Sequence, residues 1–405
     1  MAPMTAPHGT PPGPGSAAGR RPFLNRRLAS FGTTIFAEMS ALAVSTGSVN
    51  LGQGFPDTDG PEEIAEAAVR AVREGRGNQY PPGPGIPELR RAVADHQRRF
   101  YGLAYDPDTE VLVTAGATEA IAASLLALLE PGDEVVALEP YYDSYAACIA
   151  MAGATRVPVT LRPHEGAFRL DLDELRAAVT PRTRLLLLNT PHNPTGTVLT
   201  EAELRAVAEL ALERDLLVVT DEVYEHLVFE GAHVPIASLP GMRDRTVTIS
   251  SSGKTFSFTG WKVGWITASP ALTAAVRTAK QFLTFVSSGP FQYAIAEALA
   301  LPDAYYEGFR ADMARKRDIL AGGLEAAGFE VFRPAGTYFI TTDITPLGER
   351  DALAFCRELP ARCGVVAIPN SVFYDHETAG RSLVRFAFCK KDEVLEEAAT
   401  RLRKL

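Results

Sequence analysis

From about residue 60 the chain alternates between two hydrophobic patterns. One is amphipathic with a helical period. PEEIAEAAVRAVREG opens on Pro61 and acidic residues, which suit a helix N-terminus, and PELRRAVADHQRRFYG closes on Gly102, which suits a helix end. The other is a short apolar run: EVLVTA, DEVVALEP, TRVPVTL, TRLLLLN, DLLVVTD, TVTISS and VGWITA, in that order. Helical patterns such as TEAIAASLLALLE and EAELRAVAELALERD lie between most of these runs. Strands apolar on both faces, alternating with helices, predict an α/β fold with a mostly parallel, seven-stranded sheet covered by helices.

After PALTAAVRTAKQFLTFV the texture changes. A long charged helix, YYEGFRADMARKRDILAGGLEAAG, leads into FEVFRPAGTYFITTDI, a helix, the strands GVVAIPNSVFY and SLVRFAF, and a last helix. This predicts a smaller α+β domain. The expected division is a disordered tail over 1–22, an N-terminal segment over 23–56 packing with the small domain, a large domain over 57–295 and a small C-terminal domain over 296–405. The tail is rich in Pro, Gly and Ala and lacks the apolar core of a signal peptide. No apolar run reaches the roughly 18 residues of a membrane span.

Bulk composition narrows the function. The 405 residues are 46% hydrophobic and 22% charged, as in a soluble enzyme of about two domains. A net charge of −9 argues against a nucleic-acid surface, which would show a basic stripe. Cys148, Cys356, Cys363 and Cys389 form no C-x-x-C pair, and the histidines are scattered, so no metal is expected. Free thiols and no leader make the cytoplasm the expected location.

In a doubly wound sheet, ligands gather beyond the C-terminal ends of the strands. Five of the runs end in distinctive groups: Gly116-Ala117-Thr118-Glu119, Tyr141-Tyr142-Asp143, TPHNPTG with Asn193, Asp221 with Tyr224, and Ser251-Ser252-Gly253-Lys254. Gly116-Ala117-Thr118 offers free N–H groups and a hydroxyl at a helix N-terminus, an anion site to which Ser251 and Lys262 can add donors. Gly253-Lys254-Thr255 imitates the end of a phosphate-binding P-loop. That motif requires glycine at position 248, where this chain has Thr248, and a helix after the lysine, where TFSFTGWKVGW is a poor helix former. The set that remains is an amine beside a phosphate site with an aspartate, an asparagine, a tyrosine and an aromatic ring. It meets the needs of pyridoxal 5′-phosphate: an amine for a Schiff base, a carboxylate for the pyridine nitrogen, donors for the ring oxygen and a stacking partner.

The motifs VNLGQGFPD, NQYPPGPG, VTAGATEAI, EPYYDSY, NTPHNPTG, TDEVYEHLVF, SSSGKTFSFTGWKVGW, GTYF and VRFAFCK, in this order, resemble the class I aminotransferases of pyridoxal-phosphate fold type I. The similarity runs from about Phe31 to the C-terminus. It is nearest to the kynurenine/glutamine-type and N-succinyldiaminopimelate-type branch. The resemblance implies an aspartate-aminotransferase-like fold and a role for each residue. Lys254 would bind the cofactor and then move the proton. Asp221 would pair with the pyridine nitrogen, Asn193 and Tyr224 would bond the ring oxygen, and Tyr142 would stack on the ring. Ala117, Thr118, Ser251 and Lys262 would hold the phosphate, joined by Tyr80 of the partner subunit, so a homodimer is implied. Arg385 would fork the substrate α-carboxylate, with Gly54 and Asn193 beside it, and Phe36 and Phe285 would surround the substrate. Lys262 stands where many relatives have arginine, and Asn370 where a small apolar residue is usual.

The leading expectation is therefore transfer of an amino group from an L-amino acid to a 2-oxo acid with ping-pong kinetics. The same electron sink also serves a carbon–sulfur β-lyase, and an N-succinyldiaminopimelate aminotransferase is the alternative at substrate level. A cofactor-sensing regulator would need a DNA-binding domain, for which the tail before Phe31 is too short.

Overall fold

The structure is a computed structural model that describes residues 23–32 and 34–405; the tail expected over 1–22 lies outside the described residues. The strands in chain order are β1 (Val49–Asn50), β2 (Val111–Thr114), β3 (Glu134–Glu139), β4 (Thr155–Thr160), β5 (Arg162–His164), β6 (Ala167–Arg169), β7 (Thr183–Asn189), β8 (Leu217–Asp221), β9 (Thr246–Ser251) and β10 (Gly264–Thr267). A second group follows: β11 (Glu330–Phe332), β12 (Phe339–Asp343), β13 (Val365–Val366), β14 (Ile368–Pro369) and β15 (Leu383–Ala387).

The seven apolar runs all enter one seven-stranded sheet of order β2-β10-β9-β8-β7-β3-β4. Every pairing is parallel except those of β10, which is antiparallel to both neighbours. The fold is α/β of the expected class. Burial explains the unbroken apolar runs: Leu185, Leu186, Leu187 and Leu188 on β7 are all at most 2% exposed. Each buried leucine contributes about 1.5–3 kcal/mol. On one face Leu185 and Leu187 join a core with the helices Gly116–Leu128, Asp143–Ala152 and Pro270–Lys280. On the other, Leu186 and Leu188 pack against the helix Glu201–Glu213, whose start is fixed by a reciprocal Thr200–Glu203 capping box.

The C-terminal part builds a four-stranded antiparallel sheet, β11-β12-β15-β14, backed by the helices Asp303–Ala326, Ala352–Cys363 and Asp392–Leu402. The N-terminal segment joins this part of the chain through a separate two-stranded sheet, in which β1 pairs in parallel with β13, Val49 opposite Val365. Met39, Ala43 and Leu51 enter the same core as Val223, Tyr224 and Leu227 from the turn after β8. That shared core seats the end of β8 against the smaller sheet, which is what positions the site.

The histidines, scattered in sequence, partly converge in space. His96 and His226 share a hydrogen bond of 2.7 Å between their Nε2 atoms, and Glu225 lies close enough that the three potential ligand atoms fall within 4.8 Å. Burial holds both imidazoles neutral, His96 at about 3, and raises the Glu225 carboxyl to about 7. Each Nε2 is engaged by the other, and Glu225 accepts from Ser250 Oγ at 2.5 Å, while the buried His96 Nδ1 is left without a partner among the described residues. Among the described residues no helix is long and apolar enough to cross a membrane.

Candidate active site

The site forms where β2, β7, β8 and β9 end beneath the smaller sheet. Asp221 is the last residue of β8, and Asn189, the last of β7, lies opposite it. The Asn189 amide donates to the Asp221 carbonyl at 2.8 Å and its oxygen accepts from the Asn193 N–H at 2.8 Å, which fixes the turn between them. The Asp221 carboxylate is buried. It accepts from Tyr145 Oη at 2.6 Å and from the Val223 N–H at 3.3 Å. Burial raises its affinity for a proton, and these two donors and the Lys254 charge pull against that rise. Among the described residues it has no ion-pair partner, and a buried carboxylate of that kind is suited to a cationic group arriving in the cavity.

Lys254 follows β9 on a single helical turn, Ser252–Thr255. The turn stops there, so no P-loop helix forms. Lys254 Nζ donates to Tyr338 Oη at 2.9 Å and reaches the Gly54 carbonyl at 3.4 Å. Burial lowers its pKa from 10.5 to about 8, only partly offset by the attraction of Asp221. A lysine in that range is half deprotonated at about pH 8, far below the pH an ordinary lysine needs, and can act as nucleophile or base at mildly alkaline pH.

The helix Gly116–Leu128 opens toward the same cavity; its N-cap residue, Ala115, offers no side-chain acceptor, and the Glu119 carboxylate accepts from the Ala115 N–H at 2.6 Å. Gly116 has φ +75, and a Cβ there would come 3.2 Å from Lys262 Nζ, so glycine permits the ammonium to approach the free N–H groups. Gly264, the first residue of β10, lies so close that a Cβ would fall 2.6 Å from the Gly116 carbonyl carbon. Lys262 is itself left-handed, φ 54. The stacked rings of Phe258, Trp261 and Phe291, with centroids 3.8 and 4.5 Å apart, hold the turn that presents it. Free N–H groups and an ammonium make a receptor for a phosphate dianion.

Arg385 on β15 is 2% exposed and lacks a carboxylate within ion-pairing distance among the described residues. Its Nη1 donates to Asn193 Oδ1 at 3.0 Å and its Nη2 to the Gly52 carbonyl at 2.9 Å, while Nε has no partner. The guanidinium lies 4.1 Å from the centre of the Phe339 ring and 5.2 Å from that of Phe36. Burial lowers its pKa to about 10. A buried cation without a counter-ion is stabilised by a carboxylate that enters.

One cavity of about 260 Å³ is lined by Phe36, Gly54, Ala117, Thr118, Tyr142, Asn193, Asp221, Tyr224, Ser251, Lys254, Lys262 and Arg385. Two of the predicted residues do not line it within one chain. Tyr80 is 82% exposed and Phe285 51% exposed, and their rings meet edge-on at 5.5 Å. Asn370 lies outside the cavity wall, buried, and donates to Thr341 Oγ1 at 3.1 Å. Three contributors escaped the sequence reading. Asn189 is the last letter of TRLLLLN, Tyr145 closes EPYYDSY, and Tyr338 sits in GTYF; each motif was visible, but nothing in it said where the side chain points.

The family model described as aminotransferase class I and II matches residues 46–402. A probable N-succinyldiaminopimelate aminotransferase of Mycobacterium tuberculosis is 54% identical over 385 residues, 93% of this chain and 97% of that protein. The solved structure of N-succinyldiaminopimelate aminotransferase from Mycobacterium tuberculosis superposes with a TM-score of 0.92, over 94% of this chain and 99% of that one. A methionine aminotransferase of Escherichia coli is 41% identical over 380 residues, 94% of this chain and 97% of that protein.

Proposed function

The chain belongs to the class I and II aminotransferases and is a transaminase, and from that premise we propose that it uses pyridoxal 5′-phosphate to deaminate L-amino acids with large uncharged side chains. The observation that carries this reading is the buried, ion-pair-free guanidinium of Arg385 facing the same cavity as the Lys254 amine. One group receives an α-carboxylate while the other is free to react with a carbonyl.

The donor set fits the cofactor. Lys254 would be its covalent anchor and afterwards the base at the substrate α-carbon. Asp221 would pair with the pyridine nitrogen, Asn193 and Tyr224 would bond the ring oxygen, and Tyr142 would cover a ring face. Ala117, Thr118, Ser251 and Lys262 would hold the phosphate, with Tyr80 of the partner subunit completing it in a homodimer. When bound, the cofactor supplies an electron sink beside the α-carbon. Gly54 and Asn193 flank the carboxylate held by Arg385. Phe36 lies over that fork, and Phe285 reaches substrate only as part of the dimer. The domain division at 57–295 and 296–405, with 23–56 joined to the latter, belongs to the same proposal and is supported by the two separate sheets. Four buried free thiols favour a reducing compartment, the cytoplasm.

The substrate class follows from charge. The cations lining the cavity in one protomer are Lys254, Lys262 and Arg385, and each already has a task. The rest of the wall includes Phe36, Phe55, Phe258 and Phe339, beside the uncharged polar Gln53 and Thr259. Such walls favour thioether and aromatic side chains over a second carboxylate. A second reading, N-succinyldiaminopimelate as substrate, is favoured by the 54% identity to the mycobacterial relative. Borohydride reduction followed by peptide mapping identifies the anchoring lysine, expected to be Lys254. A half-reaction screen that follows loss of the visible cofactor band then ranks methionine, phenylalanine, glutamate and N-succinyldiaminopimelate. Fast conversion by N-succinyldiaminopimelate alone would overturn the first reading in favour of the second.

A further inference from the structure

Tyr338 is an unassigned hydroxyl behind the cavity wall, in contact with two of its lining residues, Lys254 and Gly54. It is 1% exposed, and its ring is wedged edge-on against Tyr224 at 5.2 Å and Phe339 at 4.9 Å. Its hydroxyl donates to the Gly54 carbonyl at 2.5 Å. A phenol has one proton, so with that proton committed to Gly54 the oxygen can only accept from Lys254. Burial among Tyr224 and Cys389 pushes its ionisation far above the ordinary tyrosine range, so the hydroxyl keeps its proton.

The consequence falls on the lysine. A neutral amine has two N–H groups and one lone pair. One N–H points to Tyr338 Oη at 2.9 Å and the other has the Gly54 carbonyl at 3.4 Å. Both donors are directed toward the smaller sheet and the N-terminal segment. The lone pair is thereby left for the cavity. The two acceptors come from different parts of the chain, 284 residues apart, and their own hydrogen bond holds them together.

We propose that Tyr338, with the Gly54 carbonyl, is a docking pair that holds the unbound Lys254 amine with its lone pair toward the substrate α-carbon, making Tyr338 a positioning residue for proton transfer. The inference rests on the reading of Lys254 as the reactive amine. In that role the Lys254 lone pair would take up the α-proton and Lys254 would hold it as an ammonium until it is passed on. The ammonium stays hydrogen-bonded to Tyr338 in between, and Tyr338 never gives up its own proton.

Tyr338→Phe keeps the ring and removes the hydroxyl. Three measurements test it, after borohydride mapping has shown that Lys254 is the anchor. In cofactor-free protein, the pH profile of Lys254 acetylation by acetic anhydride, read by peptide mass spectrometry, should shift to lower pH, because the charged amine has lost an acceptor. In the holoenzyme, kcat should fall about 10- to 100-fold with KM within about two-fold, the size of a misplaced reacting group. The primary isotope effect with α-deuterated amino acid should rise. An unchanged isotope effect with an unchanged acetylation profile overturns the proposal while leaving the anchor assignment intact; a label on another lysine overturns both. Should the variant fail to fold, crystals of the wild-type enzyme with pyridoxamine phosphate, in which Lys254 is free, decide the matter. Nζ within hydrogen-bond distance of Tyr338 Oη supports docking, and Nζ bonded elsewhere overturns it.

Discussion

Arg385 and Asp221 are two buried ionisable groups without a salt-bridge partner among the described residues, and each is a proposed ligand contact. Arg385→Ala should weaken amino-acid binding by about 1.5–3 kcal/mol, the worth of hydrogen bonds to a charged group, read as the concentration dependence of the half-reaction. Arg385→Lys should recover little of it, because an ammonium cannot make the paired fork. Tyr145→Phe removes the 2.6 Å donor to Asp221, so the carboxyl should titrate higher and hold the cofactor less well. Cofactor retention in equilibrium dialysis should fall by a similar 1.5–3 kcal/mol, and unchanged retention would show that Val223 N–H suffices. Lys254 brings a pH dependence. Its folded pKa of about 8 lies below the unfolded 10.5, so between those values the unfolded chain holds a proton that the folded chain has released. The burial cost is fully present below pH about 8 and disappears as pH rises toward 10.5. The stability advantage of cofactor-free Lys254→Met over wild type should therefore shrink across that window in urea titrations. Lys254, Asp221 and Asn193 were legible in sequence because each follows an apolar run, and strand ends converge. Tyr145 and Tyr338 were not, because their partners lie 76 and 84 residues away and only tertiary contact selects them.

At the scale of elements, the contact between β10 and the helix Gly116–Leu128 underlies the proposed phosphate site. A Cβ on Gly264 would meet the Gly116 carbonyl carbon at 2.6 Å and the Ala117 nitrogen at 2.9 Å, both backbone atoms that cannot swing away. Gly264→Ala should cost about 1–3 kcal/mol of stability and loosen cofactor retention. Gly322→Ala is the contrasting case. Gly322 lies inside the helix Asp303–Ala326 with nothing within 4 Å of its Cβ position, so alanine should stabilise by about 0.4–1 kcal/mol and leave retention alone. Thermal melts and dialysis separate the two. Element identity was readable from pattern, since helices such as Pro87–Tyr101 end on a left-handed Gly102. The direction of β10 was not. VGWITA is apolar on both faces like its neighbours, and such a run carries no mark of polarity. The connection from β9 holds only the turn Ser252–Thr255 and the short turn Thr259–Trp261, too little to cross over the sheet, so β10 returns antiparallel.

For the molecule as a whole, two sheets were foreseeable from the change of texture near residue 296, and the N-terminal segment was expected beside the smaller one. The register of that contact was not readable, since Val49 and its partner Val365 are 316 residues apart and local sequence says nothing about the pairing. Quaternary structure is the larger question. Phe282 is 83% exposed, Leu283 45% and Phe285 51%, and Tyr80, 82% exposed, packs its ring on Phe285. Large apolar side chains clustered on a surface mark an interaction site. The homodimer proposed above gives these residues a partner and Tyr80 a task, since within one chain Tyr80 does not line the cavity. The double substitution Phe282→Glu with Phe285→Glu places charges where the interface would exclude water. It should convert a dimer to a monomer in light scattering and lower cofactor retention together, although neither residue lines the cavity of its own chain. Tyr80→Phe should lower retention while leaving the dimer intact, because it removes only a hydroxyl. A wild-type monomer with full activity would refute the shared site, and a dimer unaffected by the double substitution would move the interface to another face.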